Sequence, residues 1–348
     1  MRILKSGFGK LKSGEEVSKY TLKNNKLEVS ILNYGGIITE ILTKDKDGKL
    51  ENVVLGYNNI GDYEEKSPYF GCITGRIAGR IENGNFKLGD TQYSLAKNNG
   101  NNSLHGGIVG LDKRIWEVEE IDSGIKLSYT SPHMEEGFPG EVKFEVSYIL
   151  NDDSLEISYL GVPDRETIIN LTNHTYFNLS GNCKEDILNH VLFINANKVP
   201  VLDAESIPHG ELFDVEGTPF DFTAPKKIGE DITGDNLQLK QGNGYDHPFI
   251  LNNERELEIL LFHKKSERKL EVYTDREAVG VYTSNFLGEA EGMLSCGVKA
   301  RPRLGVCLET QELPNNINVE SFSSWIYTKE KPYSAKTIYK FDINQREV

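Results

Sequence analysis

A histidine and a glutamate in this sequence could give and take protons, and each lies in a stretch with a strand's alternation. His174 is at the centre of N-L-T-N-H-T-Y-F-N-L-S-G, residues 170–181. If that stretch is extended, Asn170, Thr172, His174, Tyr176 and Asn178 share one face, and Leu171, Asn173, Thr175, Phe177 and Leu179 the other. The first face surrounds an imidazole with hydroxyls and amides, which is what a polar, sugar-sized ligand needs. Glu309 lies in G-V-C-L-E-T-Q, residues 305–311, where Val306 and Leu308 point one way and Cys307, Glu309 and Gln311 the other. A carboxylate in so apolar a strand must reach solvent or line a cavity, because burying it unpaired is costly enough to shift its pKa. Each residue also has a bland reading on its own: a solvent-facing strand histidine without a role, and a surface glutamate on an edge strand.

Three further stretches carry candidate groups. N-N-G-N-N-S-L-H-G-G, residues 98–107, sets His105 between an Asn-rich turn and two glycines that let the backbone approach a ligand. G-Y-D-H-P-F, residues 244–249, places Asp246 just ahead of a proline-limited strand entry, where a turn-capping aspartate is the plain alternative. G-R-I-A-G-R-I, residues 75–81, offers Arg76 and Arg80 but fits neither the phosphate-loop nor the dinucleotide pattern. Arg80 reads as a surface ion-pair partner.

The elements that must position these groups are strands. Val142, Phe144, Val146, Tyr148 and Leu150 alternate with polar residues, and Leu155, Ile157 and Tyr159 resume the pattern after a turn at Asn151–Ser154. Leu27, Val29 and Ile31 repeat it near the start, ahead of a tight turn at Asp45–Gly48 that lacks the later acidic ligands of a calcium loop. No helical period is sustained, and 33 glycines punctuate the strands. The expected fold is all-β: a large antiparallel β-sandwich in one domain over residues 1–348.

Bulk composition narrows the partners. Lys+Arg 39 against Asp+Glu 53 gives a net charge of −14, which argues against nucleic acid and anionic membranes. Cys72, Cys183, Cys296 and Cys307 are scattered and read as free thiols of a reducing compartment. The opening residues lack an apolar signal core, so the sequons at Asn101, Asn170, Asn173 and Asn178 read as coincidental and the cytoplasm as the expected location. Oligomeric state is left open.

Taken in order, GRIAGRIENGNF, NNSLHGG, EEGFPGEV, INLTNHTYFNLSG, GYDHPF, VYTSNFLG and LETQELPNNIN resemble the aldose 1-epimerase (galactose mutarotase) family along nearly the whole chain. The resemblance implies a galactose mutarotase-like sandwich with an open carbohydrate-binding cleft, acting on free aldoses with no metal or organic cofactor. It implies His174 as general acid toward the ring oxygen, Glu309 as base for the anomeric hydroxyl, and His105 assisting at the ring oxygen; an ordinary glutamate pKa of about 4.3 makes Glu309 an ionised base. Arg76 and Asp246 would hold sugar hydroxyls, Asn102 and Tyr176 would add contacts, and Phe286 would wall the ring. Gly79 stands where the family usually has Asn, and Asn315-Asn316-Ile317 replaces a common Pro-flanked stretch; both departures bear on sugar preference. The rival readings are a glycosidase using Asp246 and Glu309 as its carboxylate pair and a non-catalytic carbohydrate-binding module. A metal site on His105 and His174 is disfavoured, because the two are far apart in sequence with no third ligand at metal-like spacing.

Overall fold

The alternation read in the sequence becomes strand ladders in the computed structural model, which describes residues 1–252 and 257–343. Val142–Leu150 and Ser154–Pro163 pair in register from Val142↔Pro163 to Leu150↔Leu155. The Asn151 N–H closes their turn on the Ser154 carbonyl at 2.9 Å. Val142, Phe144, Val146, Tyr148 and Leu150 are all buried, and the residues between them are more open. Burying each such side chain is worth about 1.5–3 kcal/mol, so the alternation decides which face turns inward. At Asp45–Gly48 the Asp45 carboxylate accepts the N–H of Asp47 and of Lys49, a tight turn as expected.

Two large antiparallel sheets make the sandwich. The nine-stranded sheet runs Glu117–Ile121, Gly124–Ser131, Val142–Leu150, Ser154–Pro163, Tyr333–Ile343, Arg268–Thr274, Ile259–His263, His190–Ile194 and Lys226–Lys227. The six-stranded sheet runs Tyr176–Phe177, Val306–Gln311, Ala278–Tyr282, Asp246–Leu251, Ala196–Leu202 and Pro208–Asp214. One face of the smaller sheet sends Phe249, Val279, Val281, Val306 and Leu308 into a core shared with Tyr148, Tyr159, Leu270 and Tyr339 of the larger. Phe177 meets Tyr339 edge-on at 5.1 Å, and the Thr310 and Thr337 hydroxyls hydrogen-bond at 2.5 Å between the sheets. The other face of the six-stranded sheet carries Glu309 and is free to floor a cleft. Among the described residues, no helix is long and apolar enough to cross a membrane.

The segment 170–181 departs from the single strand that its alternation suggests. It makes two short strands with different partners: Thr172–Asn173 on Ile73–Thr74, and Tyr176–Phe177 on Val306–Gln311. The whole segment is buried, not solvent-facing. Its asparagines serve the protein: Asn170 exchanges hydrogen bonds with the Glu312 backbone, and Asn178 donates to the Glu185 and Leu304 carbonyls. Of the polar face, His174 and Tyr176 reach the cleft.

A five-stranded N-terminal meander is tied to the larger sheet by a buried carboxylate. Glu51 accepts hydrogen bonds from Arg268 Nη2 at 3.1 Å and Lys184 Nζ at 2.6 Å, and lies 2.6 Å from Lys49 Nζ. Burial alone would raise its pKa, but hydrogen bonds from these three cations outweigh that and hold it at about 2. The folded-state value is depressed, so this contribution is present above the ordinary 4.5 and lost as pH falls toward about 2. Glu51→Ala leaves the buried Arg268 without its hydrogen-bonded carboxylate, with Asp45 still 4.0 Å away, and is expected to cost about 3 kcal/mol in urea unfolding at neutral pH. A loss below about 1 kcal/mol, the range of a surface pair, would contradict this role.

Candidate active site

Ladder register places the polar face of the six-stranded sheet. Tyr282 pairs with Cys307 on one side and Asp246 on the other, while Gly280 pairs with Glu309 and with Pro248. Tyr176 pairs with Cys307, so stepping two residues back along its strand brings His174 level with Glu309. Backbone bonds fix the histidine just beyond its short strand: its N–H donates to Cys72 and its carbonyl accepts from Gly71.

The result is an imidazole against a carboxyl. His174 Nε2 lies 3.5 Å from Glu309 Oε1. The two residues are 4% and 5% exposed. Tyr69 stacks on His174 with ring centroids 5.8 Å apart, Tyr176 lies at 5.0 Å and Tyr282 at 6.4 Å, so three phenol rings pack around the imidazole. Burial pushes His174 down to about 4. Burial pushes Glu309 up to about 8, helped by the Asp246 carboxylate and opposed by Arg80. Both groups are driven toward their neutral forms.

His105 joins them from the Asn-rich loop, its ring edge-on to His174 at 5.1 Å. The loop reaches the cleft through left-handed backbone at His105, φ 50, and at Gly106, φ 93, where a Cβ would strike the Gly75 carbonyl at 1.7 Å. Gly79 N–H donates to His105 Nδ1 at 3.2 Å, so the neutral ring carries its proton on Nε2. Burial, then the neighbouring His174 and Arg80, hold His105 well below the usual imidazole range. The cleft encloses about 590 Å³, within the range of small-molecule sites. Asp246 lines it, and among the described residues its carboxylate has no hydrogen-bond donor; burial raises its pKa against the pull of Arg80.

The aldose 1-epimerase family model matches residues 18–340. The chain belongs to the aldose 1-epimerase family. It is 39% identical to the galactose mutarotase of Sus scrofa over 345 residues, covering 98% of this chain and 99% of the other. It is 32% identical to the aldose 1-epimerase of Escherichia coli K12, covering 94% of this chain and 96% of the other. The crystal structure of galactose 1-epimerase from Lactobacillus acidophilus superposes with TM-score 0.85 at 29% identity, over 98% of this chain and 99% of that one. An aldose epimerase homologue from C. elegans gives TM-score 0.86 at 25% identity, over 93% and 98%.

In this chain neither arginine of GRIAGR lies where it is expected. The Arg76 guanidinium does not line the cleft. It donates to the Ser131 hydroxyl and to the carbonyls of Ser131, Pro132, Pro139 and Gly140, which fastens a buried turn. Arg80 is the arginine in the cleft, donating through Nε to Asn99 at 3.0 Å and lowering the pKa of Glu309 and Asp246. Asn102 lines the cleft, but its amide is engaged with Asn83 N–H and with Glu205. Tyr176 offers its ring, since its hydroxyl donates to the Pro68 carbonyl. Phe286 stands at the rim, 65% exposed.

His105, His174 and Glu309 do converge, with potential ligand atoms within 4.8 Å, so the expectation of far-apart histidines without a third ligand fails. The His105 tautomer nevertheless presents an N–H, a hydrogen-bond donor and not a metal lone pair. Gly79 has φ 74, and a Cβ there would lie 2.9 Å from the Pro314 ring, so glycine suits this backbone where the family usually has Asn. The sequence reading missed Tyr69, Tyr282 and Gln311 as lining residues. Gln311 could have been found, because it shares the strand face of Glu309; Tyr69 is placed by tertiary packing alone.

The two arginines give a direct test. Arg80→Ala is expected to raise KM for galactose about tenfold, the loss of one charged hydrogen bond, with unchanged urea stability. Arg76→Ala is expected to lose about 3 kcal/mol of stability by leaving buried carbonyls unpaired. The reverse pattern would return Arg76 to the sugar.

Proposed function

We propose that this aldose 1-epimerase interconverts the α and β anomers of free aldoses such as galactose and glucose, by acid/base ring opening and reclosure between His174 and Glu309. The observation that carries the reading is the 3.5 Å contact of two buried, oppositely shifted groups at the floor of a sugar-sized cleft.

Opening a pyranose needs a proton removed from the C1 hydroxyl and one delivered to the ring oxygen. The C1–O5 bond breaks as the C1 carbonyl forms, the aldehyde turns about C1–C2, and the ring oxygen adds to its other face. We assign Glu309 as base at the C1 hydroxyl and His174 as acid at the ring oxygen, with His105 Nε2–H beside it. Asp246 and Arg80 anchor the hydroxyls that stay bound while the aldehyde turns, and Phe286 walls the ring. Reclosure returns each proton, so the site resets without a second reactant.

The shifts bear on where the proton rests. Glu309, expected to be ionised, is pushed toward its protonated form by burial. Between about 4 and about 8 the pair then carries one proton in total, so that one group can give a proton while the other is free to take one. Transfer within the pair creates the His174 cation and Glu309 anion side by side, and their attraction offsets part of the burial cost. One positioned acid or base gives about 10²–10⁴-fold, so the two together reach roughly 10⁴–10⁸, or about 5–11 kcal/mol. The free thiols and the buried cluster running from Tyr20 to Phe341 support a cytoplasmic enzyme with one domain over residues 1–348.

His174→Asn and Glu309→Gln are each expected to lower turnover about 10²–10⁴-fold, followed by polarimetry on freshly dissolved α-galactose, with the far-ultraviolet circular dichroism retained. A folded variant within about tenfold of the parent would refute the assignment. For kcat/KM we expect a plateau bounded at about 4 and about 8. The acid limb falls as His174 takes a second proton, and the alkaline limb falls as Glu309 loses the shared one. A rate that keeps rising through the upper limit would contradict the one-proton pair.

A further inference from the structure

Gln311 is 4% exposed and lines the cleft, and its Oε1 is buried with no hydrogen-bond partner. It follows Glu309 by two residues along Val306–Gln311 and so shares the face of the base. Leaving such an acceptor unpaired is a penalty that folded proteins otherwise avoid.

The neighbouring strand is shaped around this amide. Gly280 lies across the ladder from Glu309 and also lines the cleft. Its φ is outside the left-handed region, so the backbone does not require glycine there. Glycine inside a strand costs stability and commonly marks a close approach. Here a Cβ would lie 3.0 Å from Gln311 Nε2 and 3.5 Å from Glu309 Cβ. The missing side chain is what lets the carboxamide lie over the strand beside the catalytic carboxyl.

We propose that Gln311, seated over Gly280, binds one ring hydroxyl of the aldose other than the anomeric one and thereby sets which sugars are accepted. A carboxamide both donates and accepts, as a secondary hydroxyl does, so it reads the hydroxyl's orientation while adding no charge beside Glu309. A site built to hydrogen-bond a hydroxyl discriminates strongly against sugars that lack or misplace it, because its own buried group is then left unpaired. This inference rests on the epimerase reading above.

The test is polarimetry of the parent, Gln311→Leu and Gly280→Ala on α-galactose, α-glucose and the 2-, 3-, 4- and 6-deoxy derivatives of galactose. We expect Gln311→Leu to raise KM for galactose about tenfold, with kcat within about threefold. One deoxy sugar, lacking the hydroxyl that Gln311 binds, should be handled alike by the parent and Gln311→Leu. Gly280→Ala, which crowds the amide, should lower kcat/KM for galactose while sparing that same deoxy sugar. KM within about twofold of an active parent for both hexoses, or an equal loss on every deoxy sugar, would overturn the proposal. A parent that accelerates the mutarotation of no aldose would instead sink the epimerase reading.

Discussion

A carboxyl and an imidazole kept out of water, 3.5 Å apart, impose the constraint that organises this molecule. Neither can hold its usual charge at that depth, because desolvation raises the acid and lowers the base. Between about 4 and about 8 they hold one titratable proton together, with two places for it to rest. In the proposed reaction a hemiacetal takes a proton from one of them at its ring oxygen and gives another to its partner from the C1 hydroxyl. The phenol rings of Tyr69, Tyr176 and Tyr282 pack around His174, and Arg80 opposes the upward push that burial and the Asp246 carboxylate give Glu309.

Holding such a pair deep in the protein, yet open to a ligand, explains the architecture around it. A strand ladder fixes side chains at set rows and columns, so Glu309, Gly280 and Pro248 form one row and Cys307, Tyr282 and Asp246 the next. The opposite face of the same sheet is buried against the nine-stranded sheet, which stops those rows from shifting. Groups that must approach from above come from loops whose backbone is bent by need: His105 is left-handed, and Gly106 passes where no side chain fits. The burial of Glu309 is a stability cost accepted at the site and offset by the core beneath it.

What could be read in the sequence follows from how local each determinant is. The hairpin at Val142–Pro163 and the faces of Val306–Gln311 depend on a period of two and a turn, so alternation sufficed. The ordered family resemblance brought His174, Glu309, His105 and Asp246 to one site, and all four line the cleft. Arg76 and Arg80 lie four residues apart in one motif, and nothing local says which guanidinium meets the carbonyls of residues 131–140. The segment 170–181 misleads for a related reason. Its alternation is real, but two partner strands divide it, and buried asparagines bond to backbone that only tertiary folding brings near. The shifted pKa values of His174 and Glu309 are likewise set by burial and remote charges, which no spacing of residues encodes.

In the proposed mechanism two protons move in one step, each through its own side chain, because neither a bare alkoxide nor an oxocarbenium ion is stable in water at neutral pH. A proton inventory of kcat/KM for α-galactose, taken in mixtures of light and heavy water on the plateau of the pH profile, addresses it directly. Two protons in flight in the transition state predict a bowed, quadratic dependence on deuterium fraction. A straight line, the signature of a single moving proton, would contradict the paired mechanism, and catalysis would have to rest on one group alone.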